Sequence, residues 1–214
     1  MDRSAWPLFD LRVATPRVVL RYATDDDLFA LADLASRGVH DPGTMPFTIP
    51  WTDAEPAALR RGTLQWFWRQ RAEWSVESWH LAFVVIVEGR VVGTQSIIGE
   101  QFLKLREVAT GSWLAREHQG QGIGKEMRAA VVQFGFVGLG AQYALTGAFH
   151  DNAPSLAVTR SLGYEEEGRR RVLRRDEPDW IVGYRLARAT WEPRRRDDIE
   201  IEGLEPCLDL FGLT

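Results

Sequence analysis

A strand-like run, three closely spaced glycines and a helix-like run follow one another between residues 107 and 137, and they constrain the rest of the chain. Residues 107 to 114 read as a strand ending on an aromatic and an aliphatic side chain, Trp113 and Leu114. From residue 125 to residue 137 the pattern is helical: Ile123, Met127, Ala130, Val131 and Phe134 recur on one face. Between them stand Gly120, Gly122 and Gly124. A glycine-rich turn directly ahead of a helix lets backbone amides converge without side chains in the way. The unpaired amides of the first helical turn add partial positive charge, so such a turn attracts phosphate. An ordinary glycine-rich connection is the plain alternative, and glycines alone do not exclude it.

The spacing narrows the choice. A Walker loop needs Gly-Lys followed by Ser or Thr, and here Glu126 follows Gly124 and Lys125. The dinucleotide fingerprint needs G-x-G-x-x-G, and Lys125 stands where its third glycine belongs, which disfavours a Rossmann-like oxidoreductase. What the residues do match is Gln119-x-x-Gly122-x-Gly124. This resembles the Q/R-x-x-G-x-G/A acyl-CoA signature of the GNAT N-acyltransferase superfamily, in which the amides of the turn hold the CoA pyrophosphate. The resemblance makes Gln119, Gly120, Gln121, Gly122, Ile123, Gly124 and Lys125 the expected CoA-binding residues.

A chain of 214 residues can bury one sizeable core. Residues 1 to 190 are expected to form that domain, with residues 191 to 214 as a tail. At 45% hydrophobic and 26% charged, the composition is that of a soluble globular protein. No apolar run is long enough to span a membrane, and the first residues show no signal-peptide pattern, so a cytoplasmic protein without membrane contact is expected. Cys207 stands alone, which leaves neither a disulfide framework nor a cysteine metal site, and no metal is expected. A net charge of −4 argues against general nucleic-acid binding.

Taken in order, residues 1 to 12 are an apolar lead-in, and residues 15 to 21 alternate as a short strand. Thr15, Pro16 and Arg17 open a run similar to the T-x-R-L-x-L-R start of the Rim-type branch of ribosomal-protein N-acetyltransferases. Thr24 and Asp27 form a capping-box pattern for a helix ending at Gly38. Four prolines and Gly43 break residues 39 to 56, where Met45, Phe47, Ile49 and Trp51 suggest either a lid over a binding site or a loop pinned to the core. Residues 57 to 77 read as a helix, 81 to 87 and 91 to 98 as a hairpin, and 143 to 149 as a strand. Asn152 caps a helix over 153 to 162, and residues 164 to 174 and 180 to 186 form a final antiparallel pair. The arginines at 169, 170, 171, 174 and 175 read as solvated. In the tail, Leu204, Leu208 and Phe211 have helical spacing and suit docking on this subunit or on a neighbour in a homo-oligomer. The element order matches the GNAT fold: α/β (α+β), with a mixed, mostly antiparallel central sheet of six to seven strands whose central strands splay, flanked by about four helices.

The resemblance also implies chemistry, namely transfer of an acyl group from an acyl-CoA, acetyl-CoA or succinyl-CoA, to an amine acceptor. The splayed strands would expose amides near Ser112, Trp113 and Leu114 to the pantetheine or the thioester oxygen. Asn152 would hold pantetheine and Ser155 the thiol, because Thr159 replaces the tyrosine of many members. Glu107 and Glu100 are base candidates, since Ala109 occupies the branch's usual glutamate position; His150 is a further one. His40 in the proline-rich loop is a candidate for greeting a second carboxylate on a succinyl donor. A non-catalytic acyl-CoA-binding module is the rival reading.

Overall fold

The computed structural model describes residues 2 to 213. Its strands are β1 (Arg12–Ala14), β2 (Val19–Tyr22), β3 (Ser78–Val87), β4 (Arg90–Glu100), β5 (Glu107–Leu114), β6 (Tyr143–Phe149), β7 (Glu165–Arg174), β8 (Glu177–Ala187) and β9 (Glu200–Glu202). Its α-helices are α1 (Asp25–Ser36), α2 (Pro56–Ala72), α3 (Phe102–Leu105), α4 (Ile123–Gln133), α5 (Ala153–Ser161) and α6 (Arg188–Trp191). One sheet runs β7-β8-β6-β5-β4-β3-β2-β1-β9. Every neighbouring pair is antiparallel except β5 with β6.

The sheet has nine strands rather than six or seven because each end of the chain adds a short one. The expected single strand over 15 to 21 is in fact a turn followed by β2. Pro16 has no amide to give a ladder. Thr15 instead closes the turn, its amide donating to the Val18 carbonyl at 2.8 Å and its hydroxyl accepting from the Val18 amide at 2.9 Å. The lead-in thereby becomes β1, and the tail returns as β9 to cover its open edge.

The helices sort by face. On α4, Met127, Ala130 and Val131 are buried in the main core, together with Phe134 in the π-helical turn that continues the helix. On the other face, α1 and α2 pack Leu28, Leu31 and Phe67 against the sheet. The capping box forms as expected, with the Asp27 carboxylate also held by Arg21. Helix α2 stops at Ala72, five residues short of the expected end. The rest of that run leads into β3, and Trp74 there stacks on Trp79.

The tail docks on this subunit. Residues Glu205–Phe211 form a 3-10 helix whose Cys207 and Phe211 are fully buried. Trp74 donates from Nε1 to the Leu210 carbonyl at 2.9 Å, and Phe211 packs edge-on against Trp79 with ring centroids 4.9 Å apart. No helix among the described residues is long and apolar enough to cross a membrane.

Candidate functional site

The parallel β5–β6 pair is short: Glu107, Val108 and Ala109 lie opposite Tyr143, Ala144 and Leu145. Beyond Leu145 the strands part, β5 remaining with β4 and β6 with β8. Two threonines tie the point of separation. Thr110 donates from Oγ1 to the Leu145 carbonyl at 3.3 Å, and Thr146 donates from Oγ1 to the Thr110 carbonyl at 3.2 Å. Past them lies a wedge. The Leu114 carbonyl accepts from Gln119 outside the ladder, and the Thr110 carbonyl from Thr146. Ser112 lies between them on the same edge, so its backbone groups point into the wedge. On the opposite edge the Gly111 carbonyl accepts from the Gln95 side chain, Nε2, at 3.0 Å, and a side chain at 111 would meet open space.

The glycine turn closes the broad end of the wedge. Gly120 and Gly122 have φ of +73° and +81°, conformations open to glycine at no steric cost. Gly122 precedes α4 with no side-chain cap. Among the described residues the amides of 120 to 122 make no backbone hydrogen bond. Those of Ile123 and Gly124 open the helix, where no carbonyl lies behind them. This is a row of unused donors at the positive end of a helix. Lys125 lies on the first turn, and its amide bonds back to the Gly122 carbonyl.

The other turn residues hold it in place. Gln119 donates from Nε2 to the Val39 carbonyl at 2.7 Å and the Leu114 carbonyl at 2.8 Å, so its side-chain N–H groups brace the turn. Gln121 donates to the Glu117 carbonyl, and its own carbonyl accepts from Arg17. Arg17 also pairs with the Glu126 carboxylate, which accepts from the Thr15 hydroxyl as well. Burial pushes the Glu126 carboxyl up, but the bonds from Thr15 and Arg17 outweigh it and leave its pKa below the ordinary value. The Thr-Pro-Arg landmark is therefore the clamp on the glycine turn. A cavity of about 370 Å³ lies beside it, lined by Arg17, Lys125, Trp191, Arg194 and Arg196 among others.

Helix α5 reaches the same place. A side chain at Gly124 would lie 3.8 Å from Leu114 and 4.0 Å from Val158. Asn152 caps α5, its Oδ1 accepting from the Ser155 amide at 3.2 Å, which leaves its Nδ2 donors and the Ser155 hydroxyl without a partner among the described residues. Thr159 on α5 is buried.

Two base candidates fall outside the site. Glu107 lies at the paired end of β5, three residues or about 10 Å before the wedge opens. Glu100 ends β4 on the same side of the molecule and accepts from the Ser78 hydroxyl. The structure therefore does not bring Glu107 to Ser155; strand pairing holds it at the closed end. His150, just after β6, is half-exposed and makes a 3.1 Å contact from Nδ1 to Asp179.

The loop over residues 39 to 54 lies clamped against the β7–β8 hairpin. Arg174 donates from Nε to the Met45 carbonyl at 2.7 Å and pairs with Asp151 and Asp179. Arg175 holds Asp53 with two bonds of 2.7 Å. These two arginines, expected to be solvated, are the clamp; nothing in a charge run distinguishes pairing from hydration. Phe47, Trp51 and Trp113 then form an aromatic chain from loop to β5, with centroids 5.2 and 5.9 Å apart. His40 contacts the Asp41 carbonyl through Nδ1 and the Thr52 hydroxyl through Nε2, so neither ring nitrogen remains for a donor carboxylate.

Sequence reasoning passed over Arg128, which crosses from α4 beneath the wedge. Its Nη1 donates to Thr146 Oγ1 at 3.0 Å and its Nη2 to Ser112 Oγ at 3.2 Å. Its signal was a charge on the apolar face of a helix.

A sequence profile described as "Acetyltransferase (GNAT) domain" matches residues 17–165. The chain belongs to the GNAT acetyltransferase family. Solved structures share its fold. RimJ of Mycobacterium smegmatis in complex with CoA-disulfide superposes with a TM-score of 0.69 at 21% identity, over 95% of each chain. RimL, a ribosomal alpha-N-protein acetyltransferase in complex with coenzyme A, gives 0.65 at 16% identity, over 81% of this chain and 95% of its own. MccE, a microcin C7 self-immunity acetyltransferase in complex with acetyl-CoA and AMP, gives 0.63 at 15% identity, over 80% and 93%.

Proposed function

We propose that this GNAT protein transfers an acyl group from an acyl-CoA to a primary amine in direct attack, as a Rim-type N-acyltransferase. The observation that carries the reading is the row of unengaged amides at the start of α4, opening onto the wedge between β5 and β6. The amides hold the pyrophosphate and the Ser112 edge receives the pantetheine, with the Asn152 Nδ2 donors on its other side. The amine nitrogen bonds to the thioester carbon, the carbon–sulfur bond breaks, and the amine proton passes to a base or to water. The leaving sulfur accepts a hydrogen bond from Ser155. Its thiol is acidic enough, near 8.5, to leave without a strong acid. An α-amino acceptor costs about 1 kcal/mol to deprotonate at pH 7, and a lysine about 4.6 kcal/mol. With no carboxylate base among the described residues placed in the wedge, the site suits the first, and a protein N-terminus or a small amine of low pKa is the acceptor class.

The misplacement of Glu107 also favours a second reading, acyl-CoA binding without turnover. Thermal shift with free CoA, acetyl-CoA and succinyl-CoA tests the binding. Gly122→Glu should abolish the shift, because a carboxylate there repels the phosphates and strains a backbone of positive φ. Retained binding by that variant would displace the turn from its role. Thiol release over a panel of amines then separates an enzyme from a binding module.

A further inference from the structure

Five buried side-chain polar atoms lack a hydrogen-bond partner among the described residues: Trp79 Nε1, His80 Nε2, Gln95 Oε1, Arg128 Nε and Tyr164 Oη. Three of these gather on the α4 side of the wedge. Gln95 is the cross-strand neighbour of Ser112. The Tyr164 hydroxyl lies against Arg128 and Thr110 without completing a bond.

Arg128 is the anomaly among them. It is 5% exposed, yet no carboxylate among the described residues lies within ion-pair distance of it. A guanidinium presents five N–H groups. Two are used here, both on neutral hydroxyls of the separating strands. Burial pulls its pKa below the ordinary arginine value. Buried cations are normally paired, because a lone one loses its hydration and gains no counter-charge. The donor phosphates do not supply that charge, since their amides stand one helical turn earlier at Gly120, Gly122 and Gly124.

The surroundings say what kind of group is missing. Ser112, Thr146 and Tyr164 bring three hydroxyls to the guanidinium, and Thr110 lies against the Tyr164 hydroxyl. A methyl group seated among them would leave every unused donor stranded. A carboxylate would accept from Arg128 through both oxygens, with a charge-assisted geometry that no neutral acyl chain offers. Resting on the acyl-CoA reading of the site, we propose that the wedge takes an acyl-CoA whose acyl chain ends in a carboxylate, and that Arg128 is its counter-ion.

The test is calorimetric binding of free CoA, acetyl-CoA, butyryl-CoA and succinyl-CoA to the full chain and to its Arg128→Met and Arg128→Lys variants. Butyryl and succinyl chains match in length and differ by a methyl against a carboxylate. The wild-type chain should bind succinyl-CoA about tenfold or more tighter than butyryl-CoA. Arg128→Met should bring the two to parity while leaving free CoA unchanged, and Arg128→Lys should keep part of the preference. Equal affinities in the wild-type chain overturn the proposal, and that comparison stands even if Arg128→Met fails to fold. Equal weakening of every ligand, free CoA included, by Arg128→Met assigns Arg128 to bridging β5 and β6 only. Unchanged affinities with equally slowed thiol release from acetyl-CoA and succinyl-CoA assign it to the thioester oxygen; either result also overturns the proposal. Absence of binding by any CoA species refutes the acyl-CoA reading itself.

Discussion

His80 and Asn152 show how single side chains divide stability from function. On β3, His80 packs edge-on to Trp66 with centroids 4.9 Å apart, and its Nε2 has no partner. Burial pushes its pKa down from 6.5 to about 4. The unfolded chain therefore binds more protons than the folded chain between those values, so stability rises with pH across that window and levels off above it. The full effect is about 3 kcal/mol. Urea unfolding between pH 4.5 and 7 should show the slope, and His80→Leu should remove its share; an unchanged slope in the variant would place the titration elsewhere. Asn152 separates two roles of one residue. Its Oδ1 caps α5 while Nδ2 faces the donor in the proposed mechanism. Asn152→Asp preserves the cap, since Asp is an equally good N-cap, and removes the donor. Its melting temperature should hold and its CoA affinity should fall severalfold, whereas Asn152→Ala should lose both, with about 1 kcal/mol of stability. Equal CoA affinity in Asn152→Asp and the wild type would reduce Asn152 to its cap.

At the scale of elements, helical and strand periodicity was enough to place β5, β6, α4 and α5, because each has one apolar face against the core. The six-residue pattern from Gln119 to Gly124 was likewise readable, because it encodes backbone conformation. What sequence did not show was pairing at a distance. The Arg17–Glu126 and Arg175–Asp53 contacts join residues more than a hundred positions apart, and a charge gives no hint of its partner. For the same reason the distance of Glu107 from the wedge was not readable, since strand register alone decides which end of β5 opens. The loop clamp gives a prediction at this scale. The Arg175–Asp53 pair is substantially exposed, so Arg175→Ala should leave global stability almost unchanged. Its effect should lie in the loop. Amide exchange over residues 40 to 54 should quicken and the KM for the amine rise, while the donor Kd stays constant. Unchanged exchange in that loop would show that Arg174 and the aromatic chain hold it unaided.

For the molecule as a whole, the family profile ends at residue 165, yet the core does not. β8 pairs with the whole of β6 and so fixes one wall of the wedge, and β9 covers the edge of β1. Phe211 enters an aromatic cluster with Trp74, Trp79 and Phe134, three residues from the body of the chain. Phe134 is in turn edge-on to Phe83 in the middle of β3, so the tail is coupled through contiguous packing to the sheet. A side chain fully buried there should behave as core rather than as appendage. Phe211→Ala should therefore cost about 3–5 kcal/mol, the range for removing a buried aromatic ring, and Asp209→Ala on the exposed side of the same turn should cost almost nothing. Urea unfolding of the two variants decides the matter. If both prove equally mild, the tail contributes no core packing and the domain ends with β8. If Phe211→Ala lowers stability by the full amount, the last turn of the chain is part of the same cooperative unit that holds the wedge.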